Sequence, residues 1–440
     1  MLKIIIHDQT LIHPFNEPAR ELRILTKPLW LHHRDILRPY CKEEREYTHE
    51  EALANQIQET TGETIIYRDN LYFDEHLFAT FLEAARIKKS PCQIAFKSDD
   101  AAIIRHAIPL QSGIRQDGDL YVADLYYYPD GYSETNQNQV LPVVVSTASQ
   151  EIGYYHVPTY MAFESGELVY QVPQRPFLSI ESWVHIFLAN TAFGVLSMGA
   201  RLEAQINDSL PFLFKVLVHS LVERKQFLGS SPFVQVGKNC QIDPTAIIQG
   251  PTIIGDNVII GPGAVINACI IGNNVNISQG CQLMLSTIGS GTFLPFRAAL
   301  FMTTLMENAM VAQNTCLQMC VIGRNTFIGA GNTFTDFNLL AIPIRTMHQG
   351  KLLKVEQPVI GGCVGHNCRI GSGHIIFPGR TIESDVVLFA KNGQNVIAKN
   401  VLYEDSDHHG FPGQGHISLY HPEEENNEQE EETVSDRMKE

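Results

Sequence analysis

The 440-residue chain contains no run of 18 consecutive apolar residues, so no membrane span is expected. Basic residues are scarce: 32 Lys and Arg stand against 48 Asp and Glu, a formal net charge of −16. Binding to phosphate backbones needs clustered Lys and Arg, so nucleic acid is not an expected partner. The nine cysteines include no CxxC pair, the tightest spacings being Cys316/Cys320 and Cys363/Cys368. Zinc sites use closer pairs, so the thiols read as reduced, small hydrophobes. The opening MLKIIIHDQT is broken at once by His7 and Asp8. It is too short for a signal peptide, reads as a first buried strand, and leaves the cytoplasm as the expected location. The following HDQTLIHPF holds no glycine, which excludes a Gly-rich phosphate loop at that point.

What is present is a repeat. Val236, Ile242, Ile248, Ile254, Ile260 and Ile266 step by six, and Val364, Ile370, Ile376, Ile382 and Leu388 do so again. Between the two ladders, Ile322, Ile328 and Phe334 hold the period locally, and Ile266 to Ile271 is a five-residue step. Small or apolar residues stand four after each rung of the first ladder, from Cys240 to Ile270. Six residues make one short flat strand and a tight turn, and three such units close a triangular coil. Gly, Asn and Asp at the corners tolerate positive φ. The pattern resembles the hexapeptide-repeat superfamily, which implies a left-handed parallel β-helix from about Phe233 to about Val401, on the order of eight coils, and a homotrimer.

Residues 1–230 alternate short apolar strands with helical patterns, which predicts an α/β domain. Residues 231–402 form the β-helix, with an insertion at 339–358 that carries Arg345, His348, Lys351 and Lys354. Residues 403–440 form the tail. Its end, 421–440, has nine acidic and two basic residues and little to bury, so the tail is expected to be largely disordered. Within the N-terminal domain a strand from Thr64 to Tyr67 runs into Asp69, and Asp74 then caps an amphipathic helix over 74–88. A carboxylate at the end of such a strand stands where ligands of α/β proteins bind, and suits a hard cation with substrate phosphates.

The stretch LIHPFNEPARELRILTKPLW resembles the opening of a divergent sugar nucleotidyltransferase family, with matches at Pro14, Phe15, Pro18, Glu21, Leu22, Arg23 and Thr26. YRDN is similar to that family's strand ending in a metal-binding Asp, and ESWVHIFLAN matches at Trp183 and Asn190. The resemblance implies Mg²⁺ on Asp69, phosphate contacts from Arg23 and Lys27, and a nucleoside triphosphate and a sugar phosphate as partners. Three positions depart from it: Glu17 stands where the family has Arg, Val184 where it has an acid, and Gln313 where the related acetyltransferase β-helix has its catalytic His.

The two-domain plan is also similar to the bifunctional uridyltransferase–acetyltransferase family. The closest match is VIGRNTFIGAGNTFTDFN with VIGGCVGHNCRIGSGHIIFPG. On that reading Arg297 and Asn338 line an acceptor site, acetyl-CoA or another acyl-CoA is the donor, and His374 or His348 replaces the missing base, since glutamine cannot serve. His374 also reads as a hydrogen-bonded core residue. Three functions follow: Mg²⁺-dependent nucleotidyl transfer to a sugar phosphate, acyl transfer on the β-helix, or a non-catalytic binding or assembly protein. The first is the leading expectation.

Overall fold

The computed structural model describes residues 1–421 apart from 55, 137–138, 158–165, 341 and 412–415. The N-terminal domain is built on a seven-stranded mixed sheet. Its order is Leu141–Val144, Cys92–Lys97, Leu120–Tyr128, Thr64–Arg68, Leu2–His7 and Glu43–Thr48, with Ile114–Asp117 paired to the long third strand. The strand Leu2–His7 stands next to the edge and runs parallel to both neighbours. Alternation along Thr64–Arg68 sends Ile65 and Tyr67 to the main core and Ile66, with Ile4, to a smaller cluster on the opposite face. The helix Glu75–Lys88 begins where Asp74 accepts a hydrogen bond from the Leu77 N–H at 2.9 Å, and buries Leu77, Phe78, Phe81, Leu82 and Ala85, as expected. The stretch Trp183–Asp208 is long and apolar enough to cross a membrane, but 83% of its most apolar window is buried inside the protein.

The C-terminal half is a stack of three parallel sheets of eight strands each, joined by turns. The rungs of each ladder read from the sequence fall on the three sheets in turn, and each stacks on the rung three steps later: Val236 pairs with Ile254, Ile242 with Ile260, Val364 with Ile382 and Ile370 with Leu388. Between them the register shortens to 17 residues and runs Ile254, Ile271, Ile288, Leu305, Ile322. The five-residue step at Ile266–Ile271 is therefore one short corner per coil. A strict six-residue search loses these coils for that reason.

The insertion folds as a hairpin, Arg345–His348 against Lys351–Lys354. It turns inward onto the N-terminal domain, where the buried Trp183 Nε1 donates to Thr346 Oγ1 at 2.8 Å. The N-terminal domain lies along the side of its own β-helix. It covers the first sheet, whose outward residues Ile270, Thr287, Thr304, Val321, Cys363 and Thr381 are all buried. Met302, Met306, Met319 and Val321 of the β-helix belong to the same apolar cluster as Phe15, Leu22 and Phe187. At Gly365 the two parts touch so closely that a Cβ would lie 2.7 Å from the Pro14 carbonyl oxygen, which requires glycine.

The segment expected as a disordered tail is corrected in part. Short 3₁₀ turns at Tyr403–Asp405 and Asp407–Gly410 pack on the last coils. Residues 416–421 then cross the junction between the two halves, their backbone N–H groups at Leu419, Tyr420 and His421 donating to the buried Asp385 carboxylate. The acidic residues 422–440 lie outside the described residues.

Candidate functional site

Asp69 stands at the end of the strand Thr64–Arg68, beside the end of the strand Leu2–His7, but its oxygens are already engaged. Oδ1 accepts from the Asp8 N–H at 2.8 Å, and Oδ2 lies 2.7 Å from His7 Nδ1 and 3.3 Å from Arg20 Nη1. A carboxylate only accepts, so His7 Nδ1–H donates; Nε2 faces the Glu46 carboxylate at 2.9 Å in the same way. The hydrogen bond to Asp69, against the opposing effect of burial, raises the His7 pKa and favours the imidazolium. A divalent cation would meet a guanidinium and an imidazolium on the Asp69 carboxylate, and the neighbouring Asp8 carboxylate is paired with Arg68. The donor set does not fit Mg²⁺, and among the described residues no group of three or more His, Cys, Asp or Glu is placed to hold a metal ion.

The two expected phosphate contacts are committed elsewhere. Arg23 binds Glu307 of the β-helix and the Glu21 carbonyl, and Lys27 Nζ pairs with Asp35 at 2.7 Å on the surface. Glu17, where the family resemblance expects Arg, has a tertiary partner in Arg324 of the β-helix. His366 lies beside it, Nε2 3.4 Å from the second carboxylate oxygen. The Arg324 backbone N–H donates to His366 Nδ1 at 2.8 Å, so Nε2 carries the proton and points its positive edge at Glu17. Burial works to raise the Glu17 pKa, but His366 and Arg324 outweigh it and hold the carboxyl below the usual range. Val184 is buried in the helix Trp183–Asn190, part of the same packed seam. This corner is a docking surface, and its charges are spent in holding the two halves together.

The β-helix candidates scatter. His374 is a core residue, 1% exposed, with Nδ1 3.1 Å from the Gly371 carbonyl and its backbone N–H donating to Asn332 Oδ1. His348 lies in the hairpin seam, where burial lowers its pKa. Arg297 is exposed at a positive-φ corner, Asn338 donates to the Ile342 carbonyl at 2.8 Å, and Gln313 is half-buried. No acceptor site is assembled from Arg297, Asn338, His348 and His374 in the monomer.

A different pair of histidines does line a cavity. On the outer face of the second sheet, a space of about 400 Å³ is walled by Phe327, Phe389 and Phe411, with Arg369, His408 and His416 at its polar side. His416 Nε2 lies 2.8 Å from the Asp385 carbonyl, which can only accept, so Nε2 carries the hydrogen. Nδ1 is then the lone-pair nitrogen, and it is buried with no hydrogen-bond partner among the described residues. His408 meets the His416 ring edge-on, 4.9 Å between centres, and its Nδ1 lies 2.6 Å from Ser406 Oγ. Sequence reasoning missed this site because both histidines fall in the segment read as a tail. The signal was there: DHHGFPGQGH holds three His and a Phe and is quite unlike the acidic run after it.

Compared with known proteins, the family of bacterial transferase hexapeptides (six repeats) matches residues 233–268. A crystal structure of the polysialic acid O-acetyltransferase OatWY is similar over 38% of this chain and 79% of its own, at 18% identity and a TM-score of 0.17, too low to carry an argument. No curated protein matches the chain. The C-terminal half is thus a stack of parallel sheets whose first repeats, at 233–268, are similar to bacterial transferase hexapeptides, with a mixed α/β domain on one side.

Proposed function

We propose that the protein is an acyl-CoA-dependent acyltransferase whose chemistry lies on the open second sheet of the β-helix, with His416 as general base. The observation that carries this reading is the His416 imidazole: its tautomer is set by a backbone carbonyl, and its basic nitrogen is left without a partner beside an aromatic-walled cavity. In this reading Nδ1 takes the proton of an acceptor hydroxyl or amine as that atom attacks the thioester carbonyl. The C–S bond breaks, and the departing thiolate recovers the proton from the imidazolium. Phe327, Phe389 and Phe411 offer apolar walls to the donor's pantetheine arm, and Arg369 a cation for its phosphates. The transferase description of the matching repeat family supports the reaction class.

The β-helix is taken as left-handed, as hexapeptide repeats imply, and the assembly as a trimer. The second sheet's outward row supports that assembly, since Phe293, Met310 and Phe327 are consecutive apolar rungs and Phe293 and Phe327 are partly exposed. The nucleotidyl-transfer reading gives way, because Asp69, Arg23 and Lys27 are each held in ion pairs. The N-terminal domain is read as a nucleotidyltransferase-like frame retained for binding or assembly.

The test is CoA release from acetyl-CoA with a panel of sugar and amino-sugar acceptors, using full-length protein. Wild type is expected to turn over, and His416→Ala to lose about 10²–10⁴-fold in rate while still binding acetyl-CoA. Full activity in His416→Ala, or no acyl transfer by wild type, would sink the proposal.

A further inference from the structure

The N-terminal domain holds a second cavity, of about 500 Å³, between the helix Leu29–Leu37 and the sheet face formed by Lys3, Ile5, Glu44, Glu46 and Tyr67. Its floor pairs an acceptor with a donor. His33 is 1% exposed; its Nε2 lies 2.6 Å from the Leu71 carbonyl, so that nitrogen carries the hydrogen, and Nδ1 is buried with no hydrogen-bond partner. Burial lowers the His33 pKa to about 3, so the ring stays neutral and Nδ1 remains an acceptor. Tyr67, 1% exposed, sets its ring 5.1 Å from that of His33, and burial raises its pKa, keeping the hydroxyl a neutral donor.

The walls carry four carboxylates, at Glu21, Glu44, Glu46 and Asp69, against three cations at Lys3, Arg20 and Arg34. The carboxylates already have partners: Glu44 with Lys3, Glu46 with His7, Glu21 with Arg20, and Asp69 with Arg20 and His7. A triphosphate entering here meets no net positive charge, since His7 with Lys3, Arg20 and Arg34 only balances the four carboxylates, and Lys3 and Arg20 are already paired. Trp30 stands at the rim, 37% exposed, with the Arg34 guanidinium 5.6 Å from its ring centre.

We propose that this cavity binds a neutral polyhydroxylated ligand, a saccharide unit. One of its hydroxyls, donor and acceptor at once, satisfies Tyr67 and His33 Nδ1 together. Its other hydroxyls donate to carboxylate oxygens at the walls, and its C–H face lies near the indole. The volume is within the range of small-molecule sites. The site does not rest on the acyl-transfer reading, which concerns a different cavity on the β-helix.

The experiment is saturation-transfer NMR and calorimetry on full-length protein with a panel of neutral mono- and disaccharides, and with UTP plus Mg²⁺ as the anionic comparison. At least one saccharide is expected to bind, and UTP not to. Tyr67→Phe, which removes one oxygen, and Trp30→Ala, at the rim, are each expected to weaken binding by about 10-fold with the thermal transition retained. Absence of binding across the panel overturns the proposal. So does binding that neither substitution weakens, or UTP binding that Tyr67→Phe abolishes. His416→Ala is expected to leave saccharide binding unchanged, which separates failure here from failure of the catalytic reading.

Discussion

At the scale of single residues, the charges of the N-terminal domain are decided by their tertiary partners. Asp69 stands where a metal ligand is expected, yet it accepts from the Asp8 N–H and faces His7 and Arg20. Arg23 and Glu17 meet Glu307 and Arg324, residues some 300 positions away in the chain. His7 gives a pH dependence of definite sign. Its pKa is raised in the folded state above the ordinary value of about 6.5, chiefly by the hydrogen bond to Asp69. A raised folded pKa adds stability that is fully present below the unfolded value and is lost as pH rises through the folded one. Wild type is therefore expected to lose more stability than His7→Gln between pH 6 and pH 9, measured as the shift in urea midpoint. An equal shift in both proteins would show that the imidazolium contributes nothing.

At the scale of elements, each coil is legible wherever its period is kept. Ile242, Ile260 and Ile277 stack because every rung is one strand plus one corner, and the corners take Asn257 and Asn274 at positive φ. The coils between Ile271 and Ile322 escape a six-residue search because one side of each is five residues long. The last element, 416–421, is held by a buried carboxylate: Asp385 takes three backbone donors and the Asn367 side chain. Asp385→Asn keeps the shape and tolerates the positive φ at that position, but it turns one acceptor oxygen into a donor. Loss of about 2–3 kcal/mol is expected, with faster amide exchange at Leu419, Tyr420 and His421. Unchanged exchange at those three amides would mean that the segment is held by its ring contacts instead.

At the scale of the whole molecule, one side of the three-sided β-helix is covered by the N-terminal domain and cannot serve assembly. The second sheet stays open, with the Phe293–Met310–Phe327 ladder facing outward. If the trimer forms there, Phe293→Glu places a charge in its seam. The variant is expected to run as a folded monomer in light scattering where wild type runs as a trimer, with the far-UV spectrum retained. A wild-type monomer would remove the proposed assembly, and a trimeric variant would move it to the third sheet. The His416 cavity borders this ladder through Phe327, so a monomeric variant is also the sharpest check on whether the site works alone.

The sequence by itself determined the parallel-sheet stack, the α/β class of the first half and the capped helix at Asp74. All of these rest on short-range order: a six-residue period, a strand alternation, a cap three residues from its donor. Tertiary structure alone decided which face of the β-helix is covered, that Glu17 and Arg23 pair with Arg324 and Glu307 across the two halves, and that His416 stands beside a cavity. Those outcomes depend on contacts between segments hundreds of residues apart, where side-chain type says which interactions are possible and only the packed fold selects the partner.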